Sequence, residues 1–281
     1  MDDGLLDVQR IAAFSDGEAG GNPAGVVLCD ALPSAGRMQR VAAEVGFSET
    51  AFVAPAEGGW RVRYFSPAAE VPFCGHATLA LGAALAWRHG DGVFPLQLQQ
   101  ATITVEARRA GALVEATLQS PPTRSAPAPQ AAVDEALQLF GYTWADLDSR
   151  FVPARIHAGA DHLLLMLKSR AALAAMRYDF ETGRALMQRE GWVTVLLGYA
   201  ESDARFHTRN PFAYGGVVED PATGAATAAL AGRLVDIGWP HPGPIAVVQG
   251  EDMGSRSLLR AELPARSGDP VRVSGSVRRM R

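Results

Sequence analysis

Lysine is nearly absent from this 281-residue chain, in which Lys168 is the only lysine among 26 basic residues. Lys168 follows the apolar run 162–167 as a strand end would, so it is a poor candidate for a Schiff base, and pyridoxal chemistry is disfavoured. The net charge is −4, and the arginines are scattered apart from Arg278, Arg279 and Arg281. We therefore expect no nucleic-acid partner.

Cysteine is scarce as well. Cys29 and Cys74 are the two cysteines, and they provide neither a disulfide framework nor a metal-ligand spacing, which favours a reducing compartment. Residues 1–4 are acidic and lack the order of a signal peptide. No apolar run approaches the roughly 18 residues that a membrane span requires. We expect a cytoplasmic protein without a membrane segment.

The nucleotide and metal motifs are missing too. The chain has no Gly-x-x-x-x-Gly-Lys-Ser/Thr, no Gly-x-Gly-x-x-Gly after a strand and no His-Glu-x-x-His. Four residues separate His157 from His162, a spacing without a defined metal geometry. The sequence therefore predicts no cofactor and no metal. Its 48% apolar content indicates an ordinary globular chain of one or two domains.

What the chain does contain is a repeat. Residues 70–85 and 219–234 match at 8 of 16 positions with a constant offset of 149. Alanine contributes to this identity through composition alone, but the Glu, Pro, Gly and Thr matches do not depend on it. A repeat of about half the chain length indicates two copies of one structural unit.

Each copy predicts the same local structure. A proline is followed by a turn with Gly75 or Gly224 and then by a helix of small residues. The first turn of such a helix carries unsatisfied N–H groups and the positive end of the dipole. Two helix starts of this kind facing one cleft would bind an anion such as a carboxylate.

The pattern of the remaining chain agrees with a duplication. Ser34 and Gly46 delimit one amphipathic helix as its N-cap and stop signal. The distribution of apolar residues predicts strands at 8–14, 24–29, 50–54, 61–65, 102–107, 112–118, 162–167, 193–197, 204–208, 245–249, 257–263 and 270–274, with the repeat helices at 75–88 and 224–236. Four prolines between 119 and 130 predict a linker. We expect an N-terminal half at 1–119, a linker at 120–130 and a C-terminal half at 131–281.

Single residues do not decide the chemistry. Glu49 lies just before a strand, where a solvated carboxylate is common, and Asp220 before Pro221 is an ordinary turn residue. Cys74 alone is more often a small buried apolar residue than a nucleophile. His76 alone reads as a polar residue near a helix start. Only the combination carries information.

The combination resembles the PhzF-like family, the phenazine-biosynthesis isomerase and its relatives. The matching segments cover nearly the whole chain in order: GNPAGVV at 21–27, SETAFV at 48–53, RYFSPAAEVPFCGHAT at 63–78, EDPATGAA at 219–226, QG at 249–250 and GSR at 254–256. The resemblance implies an α/β (α+β) fold like that of diaminopimelate epimerase. That fold has two pseudo-symmetric halves, each a curved, mostly antiparallel sheet wrapped around a central helix.

The resemblance also implies site residues. It assigns the proton transfer to Glu49, with His76 and Asp220 as helpers, and substrate binding to Gly75, Gly224, Ala225, Cys74 and Thr223. Related epimerases use one cysteine from each half, whereas this chain has Cys74 in the first half and Thr223 in the second. The phenazine isomerase usually has Ala at the position of Cys74, and a Ser is common where this chain has Ala225.

Our interpretation is a cofactor-independent isomerase that moves a proton within a small carboxylate-bearing metabolite. The family further implies a homodimer. Two alternatives stay open: a one-cysteine racemase, epimerase or dehydratase that uses Cys74, and a non-catalytic binding protein on the same scaffold.

Overall fold

The computed structural model describes residues 6–99, 101–241 and 243–280. The acidic start at 1–4 and Arg281 lie outside these residues. Within them, no helix has the length and apolar character needed to span a lipid bilayer. The chain divides into two compact units. Unit 1 contains Met1–Gln119 and Ser274–Arg281, and unit 2 contains Ser120–Val273.

The described residues of unit 1 form a sheet and two helices. Its strands are β1 (Gln9–Ala13), β2 (Asn22–Leu28), β3 (Thr50–Ala56), β4 (Gly59–Phe65), β5 (Glu70–Val71), β6 (Gly92–Gln97), β7 (Thr102–Ala110) and β8 (Leu113–Pro122). Helix α1 (Ala35–Val45) connects β2 to β3, and α2 (Gly75–His89) connects β5 to β6.

Unit 2 has more helices. Its strands are β9 (Arg124–Pro127), β10 (Ala154–His157), β11 (Asp161–Leu167), β12 (Thr194–Ala200), β13 (Arg205–Pro211), β14 (Glu219–Asp220), β15 (Ile245–Gln249) and β16 (Ser257–Glu262). Its helices are α3 (Gln130–Phe140), α4 (Arg170–Ala174), α5 (Phe180–Glu190) and α6 (Gly224–Asp236). The last strand, β17 (Pro270–Arg279), begins in unit 2 and continues into unit 1.

The strands of the two units pair in the same order. In unit 1, β1–β2 is antiparallel, β2–β3 parallel, β3–β4 and β4–β5 antiparallel, β4–β6 parallel and β6–β7 antiparallel. In unit 2, the series β10–β11, β11–β12, β12–β13, β13–β14, β13–β15 and β15–β16 has the same directions in the same order. The mostly antiparallel, duplicated α+β fold expected from the sequence is confirmed.

Each sheet is wrapped around one apolar helix. Helix α2 contacts β1, β2, β3, β6 and β7, and its residues from 76 to 86 are buried. Helix α6 contacts β9, β10, β11 and β16 and is buried in the same way. Small residues allow this close packing. A Cβ atom added to Gly82 would lie 2.7 Å from Val105 Cγ2.

Strand β11 is covered on both faces, which explains its continuous apolar run. Helix α6 contacts this strand, and Leu163, Leu165 and Leu167 belong to a core cluster with residues of α3 and α5. Leu137 of α3 and Leu186 of α5 are buried in that cluster. The run 162–167 was predicted as a strand, and its double burial accounts for the lack of polar alternation.

The segment predicted as a linker contains regular structure. Pro121 and Pro122 end β8, Pro127 ends β9, and Pro129 is the N-cap of α3. Prolines are tolerated at such strand ends because no central ladder bond is lost there. The predicted C-terminal half ran to residue 281, whereas Ser274–Arg281 groups with unit 1 because β17 pairs with β1.

Candidate active site

In unit 1, Glu49 lies between the end of α1 and the start of β3. Helix α1 begins after its predicted N-cap Ser34 and ends at Gly46, which adopts φ 72°. The Glu49 carbonyl then accepts a hydrogen bond of 3.1 Å from the N–H of Gly25 on β2. Gly25 is required there, because an added Cβ would lie 2.6 Å from Thr50 Oγ1. The close approach of β2 and β3 therefore fixes the backbone of Glu49.

His76 lies in the first turn of α2 and contacts Glu49. Its Nε2 is 3.4 Å from Glu49 Oε2 and 3.3 Å from Ser48 Oγ. Its Nδ1 is 3.3 Å from Cys74 Sγ. The side chains of His76 and Glu49 are only 8% and 15% exposed. A carboxylate and an imidazole at this distance can exchange a proton and can both act on a bound molecule.

The backbone at Cys74 is held by a buried hydroxyl chain. Thr78 Oγ1 donates to the Cys74 carbonyl at 2.7 Å, so the Tyr64 hydroxyl must donate to Thr78, at 2.6 Å. Burial raises the pKa of Tyr64 and keeps its hydroxyl protonated. Cys74 is the extended N-cap residue of α2, and its thiol does not cap the helix. The sulfur points to His76 instead.

In unit 2, Asp220 and Thr223 precede α6. The Thr223 hydroxyl donates to Asp220 Oδ2 at 2.5 Å, and Asp220 is only 8% exposed. Gln249, fully buried on β15, holds both residues. Its Oε1 accepts from the Thr223 N–H at 3.0 Å, and its Nε2 donates to the Asp220 carbonyl at 2.7 Å. The side-chain amide therefore fixes the turn that leads into α6.

Both repeat helices begin without a side-chain cap from their N-cap residues, Cys74 and Thr223. Their first-turn amides, at Gly75 and His76 and at Gly224 and Ala225, retain the anion-binding character of a helix N-terminus. Each start is therefore suited to a carboxylate oxygen. The side chain of Cys74 points to His76, and that of Thr223 points to Asp220. Because neither side chain caps its helix, the first-turn amides stay uncapped by these residues.

Sequence reasoning named most of these residues but missed several contacts. Within unit 1, Glu49, Cys74 and His76 come together, and one ligand atom of each lies within 4.8 Å of the other two. Within unit 2, Asp220 and Thr223 come together. The anchoring roles of Ser48 and Gln249 were not predicted, although both lie inside matched motifs. The sequence signal next to Gln249 was Gly250. A Cβ atom added to Gly250 would lie 2.7 Å from the Pro221 carbonyl oxygen, so a glycine is needed there.

Known proteins are similar to this chain over nearly its whole length. A family model described as phenazine biosynthesis-like protein matches residues 11–278. A trans-2,3-dihydro-3-hydroxyanthranilate isomerase of Pseudomonas fluorescens is 34% identical over 272 residues, which cover 95% of this chain and 93% of the relative.

Solved structures show the same fold. A phenazine biosynthesis protein of the PhzF family from Bacillus anthracis has a TM-score of 0.86 at 21% identity, covering 98% of this chain and 97% of the other. A probable proline racemase from Agrobacterium radiobacter K84 has a TM-score of 0.65 at 10% identity, covering 97% and 90%. The fold is thus shared with the racemases. The family model and the sequence identity both point to the phenazine biosynthesis-like proteins. The chain belongs to the phenazine biosynthesis-like, or PhzF, family of isomerases.

Proposed function

We propose that this isomerase moves a proton within a small, unsaturated, carboxylate-bearing metabolite without a cofactor, and that Glu49 is its base. The observation that carries the proposal is the contact between the Glu49 carboxylate and the His76 imidazole, 3.4 Å apart and both largely buried at the start of α2. A buried acid–base pair beside uncapped helix amides suits a reaction in which negative charge develops on a bound carboxylate.

The proposed steps balance without an added reactant. Glu49 takes a proton from a saturated ring carbon next to a double bond, and the electron pair left behind spreads through that bond towards the substrate carboxylate. First-turn amides of α2, such as those of Gly75 and His76, stabilise this charge. The protonated Glu49 then returns its proton to a different carbon. His76 and, by resemblance to the family, Asp220 assist by holding or relaying a second proton.

The substrate class is supported by the relatives. The Pseudomonas fluorescens relative is named for a dihydro-hydroxyanthranilate, an unsaturated cyclic carboxylate. We propose the same chemical class here. Cys74, where the phenazine isomerase usually has Ala, is a reason to test other members of that class first. The family resemblance further supports a homodimer, and the scarcity of cysteine supports a cytoplasmic location.

A second candidate function is a one-cysteine racemase or dehydratase. The specific observation in its favour is the 3.3 Å distance between Cys74 Sγ and His76 Nδ1, which would let the imidazole accept the thiol proton. Retention of Glu49 within the Ser48-Glu49-Thr50 motif favours the glutamate mechanism over this one.

The test is solvent-deuterium exchange into unsaturated cyclic carboxylates, measured by NMR for Glu49→Gln and Cys74→Ala. Glu49→Gln keeps the shape and the hydrogen-bonding outline but removes the proton acceptor. We expect exchange to fall about 10²- to 10⁴-fold while binding persists, because that is the usual contribution of a general base. Cys74→Ala removes a small packed side chain, so exchange falls only modestly.

The reverse ranking, an inactive Cys74→Ala beside an active Glu49→Gln, would overturn the assignment and establish the cysteine mechanism. Binding without exchange in the unaltered protein, for every carboxylate in the panel that binds, would favour the non-catalytic alternative.

A further inference from the structure

Glu49, Cys74 and His76 offer three different metal-ligand atoms at one point. The carboxylate oxygen, the thiol sulfur and an imidazole nitrogen all lie within 4.8 Å of one another. Nε2 of His76 is 3.4 Å from Glu49 Oε2, and Cys74 Sγ is 3.3 Å from Nδ1 and 3.9 Å from Nε2 of the same ring. These three side chains are referred to below as the ligand triad.

The spacing of the ligand triad fits a tetrahedral metal ion. Zinc binds sulfur at about 2.3 Å and nitrogen or oxygen at about 2.0 Å, so that its ligand atoms are about 3.3 to 3.6 Å apart. The two distances to His76 Nε2, 3.4 Å and 3.9 Å, need adjustments of a few tenths of an ångström, and the Glu49 and Cys74 ligand atoms lie within 4.8 Å of each other before any adjustment. Three protein ligands would leave a fourth position open, as in zinc sites that also bind water or a substrate atom.

Charge and burial favour the same ion. A carboxylate and a thiolate together balance a divalent cation, so the complex is neutral, and burying it costs little. The N-terminus of α2 stabilises the two anionic ligands. The thiol loses its proton to solvent when it binds the metal. Sulfur and imidazole select a borderline-soft ion such as Zn²⁺ over Mg²⁺ or Ca²⁺.

We propose that the ligand triad binds Zn²⁺ reversibly and that the bound ion inhibits the isomerase by occupying the carboxylate of Glu49. Binding itself rests on the geometry of unit 1 alone and is measured without substrate. Only the inhibition rests on the proposed function. The glutamate mechanism takes no proton from Cys74, so this site gives a further role to the residue by which the chain departs from the phenazine isomerase.

The experiment is a Co²⁺ titration of the full-length reduced protein, followed by displacement with Zn²⁺. Cobalt reports the ligand set, because a thiolate bound to Co²⁺ gives a near-ultraviolet charge-transfer band. Cys29→Ala is the matched control, since Cys29 is half-buried beside Val27 and Met38 in a different cluster. We expect the band in the unaltered protein and in Cys29→Ala, and its loss in Cys74→Ala.

Zinc affinity gives the second measurement. In Cys74→Ala it should fall by more than the roughly 10- to 100-fold that loss of a supporting hydrogen bond costs a metal site. Glu49→Gln should keep the charge-transfer band and bind Zn²⁺ more weakly. A band that persists in Cys74→Ala, equal zinc affinity in both alanine variants, or no band in the unaltered protein would overturn the proposal.

The two proposals fail in different ways. A cobalt band in a protein that exchanges deuterium into no carboxylate would leave the metal site standing and reject the isomerase mechanism. Deuterium exchange that Zn²⁺ does not inhibit, in a protein without the cobalt band, would reject the metal site and leave the isomerase mechanism standing.

Discussion

Two buried histidines of this protein have opposite surroundings. His76 contacts a carboxylate, whereas His162 on β11 is fully buried and is hydrogen-bonded to the hydroxyl of Thr194. Thr194 donates its hydroxyl proton to Asn210 at 3.0 Å, so His162 must donate to Thr194 from Nδ1, at 2.8 Å. This fixes the neutral Nδ1–H tautomer. Nε2 has no hydrogen-bond partner among the described residues.

We predict that His162 makes the protein less stable in mild acid. Burial lowers the pKa of His162 to about 3, against about 6.5 in the unfolded chain. As the pH falls below about 6.5, the unfolded chain takes up a proton that the folded protein does not bind. The free energy of unfolding therefore drops by up to about 1.4 kcal/mol per pH unit until the pH nears 3.

The measurement is urea unfolding at a series of pH values for the unaltered protein and for His162→Gln, which keeps a hydrogen-bonding group and does not titrate. Other titrating groups affect both proteins alike and cancel in the difference. The difference should grow steadily between pH 6.5 and the acid limit. Parallel pH profiles would show that His162 is charged, or exposed, in the folded protein.

At the level of elements, the duplication places the same ion pair in both units at different depths. Arg63 binds Glu70 through two bonds of 2.6 and 2.5 Å, and Arg209 binds Glu219 through two of 3.0 and 2.5 Å. Each pair ties a two-residue strand, β5 or β14, to the strand before it. The Arg63 and Glu70 side chains are 23% and 27% exposed, whereas those of Arg209 and Glu219 are 10% and 4% exposed.

This difference makes a matched comparison possible. We predict that Arg209→Met destabilises the protein by about 3–5 kcal/mol, because it leaves the Glu219 carboxylate buried and unpaired. Arg63→Met should cost only about 0–1 kcal/mol, since Glu70 reaches water and also accepts from Gln99. Thermal and urea unfolding of the two variants give the comparison. Equal losses would mean that burial does not set the strength of these pairs.

The sequence predicted the elements that carry strong local signals. Helix α6 has the predicted bounds, and α2 begins at the predicted Gly75 and runs one residue further. Helix α5 was missed although Asp179 caps it and Gly191 ends it, so its signal was present. Strand β6 was not predicted, and it contains Pro95, a residue that is rare inside strands. Strands β5 and β14 are too short to show any periodicity.

The site residues also divide into those with a signal in the sequence and those without one. Glu49, His76 and Asp220 were named through a motif resemblance, which no periodicity in the chain supplies. The contact of Cys74 with His76 depends on side-chain direction at a helix start, and the role of Gln249 depends on strand register across residues 220–249. Register comes from tertiary pairing, so a motif can name a residue without predicting the atoms that it contacts.

At the scale of the whole molecule, the chain leaves unit 1 after Gln119 and returns to it at Ser274. The returning end of β17 pairs with β1, with Ile11 opposite Arg279 and Ala13 opposite Val277. Ser15 adds a backbone bond of 2.8 Å to Ser276. The first strand of unit 1 is therefore completed by nearly the last residues of the chain.

We predict that deleting residues 274–281 destabilises unit 1 although the deletion lies at the opposite end of the sequence. The amides of β1 lose a neighbouring strand and should exchange with deuterated solvent much faster, while amides on β11 and β12 of unit 2 change little. The control is Arg279→Gln in the full chain, which removes an exposed charge and keeps the backbone pairing. Unchanged protection of β1 in the truncated chain would contradict the prediction.

The late return of β17 also has a consequence for synthesis on the ribosome. One edge of β1 must wait for its partner until all of unit 2 has been translated, which at 5–20 residues per second takes on the order of ten to thirty seconds. During that interval unit 1 lacks its last strand, and the open edge of β1 can pair with strands of other chains. Slower translation lengthens the time for which the edge of β1 is exposed. A chaperone that covers the nascent N-terminal unit would reduce pairing with other chains during that time.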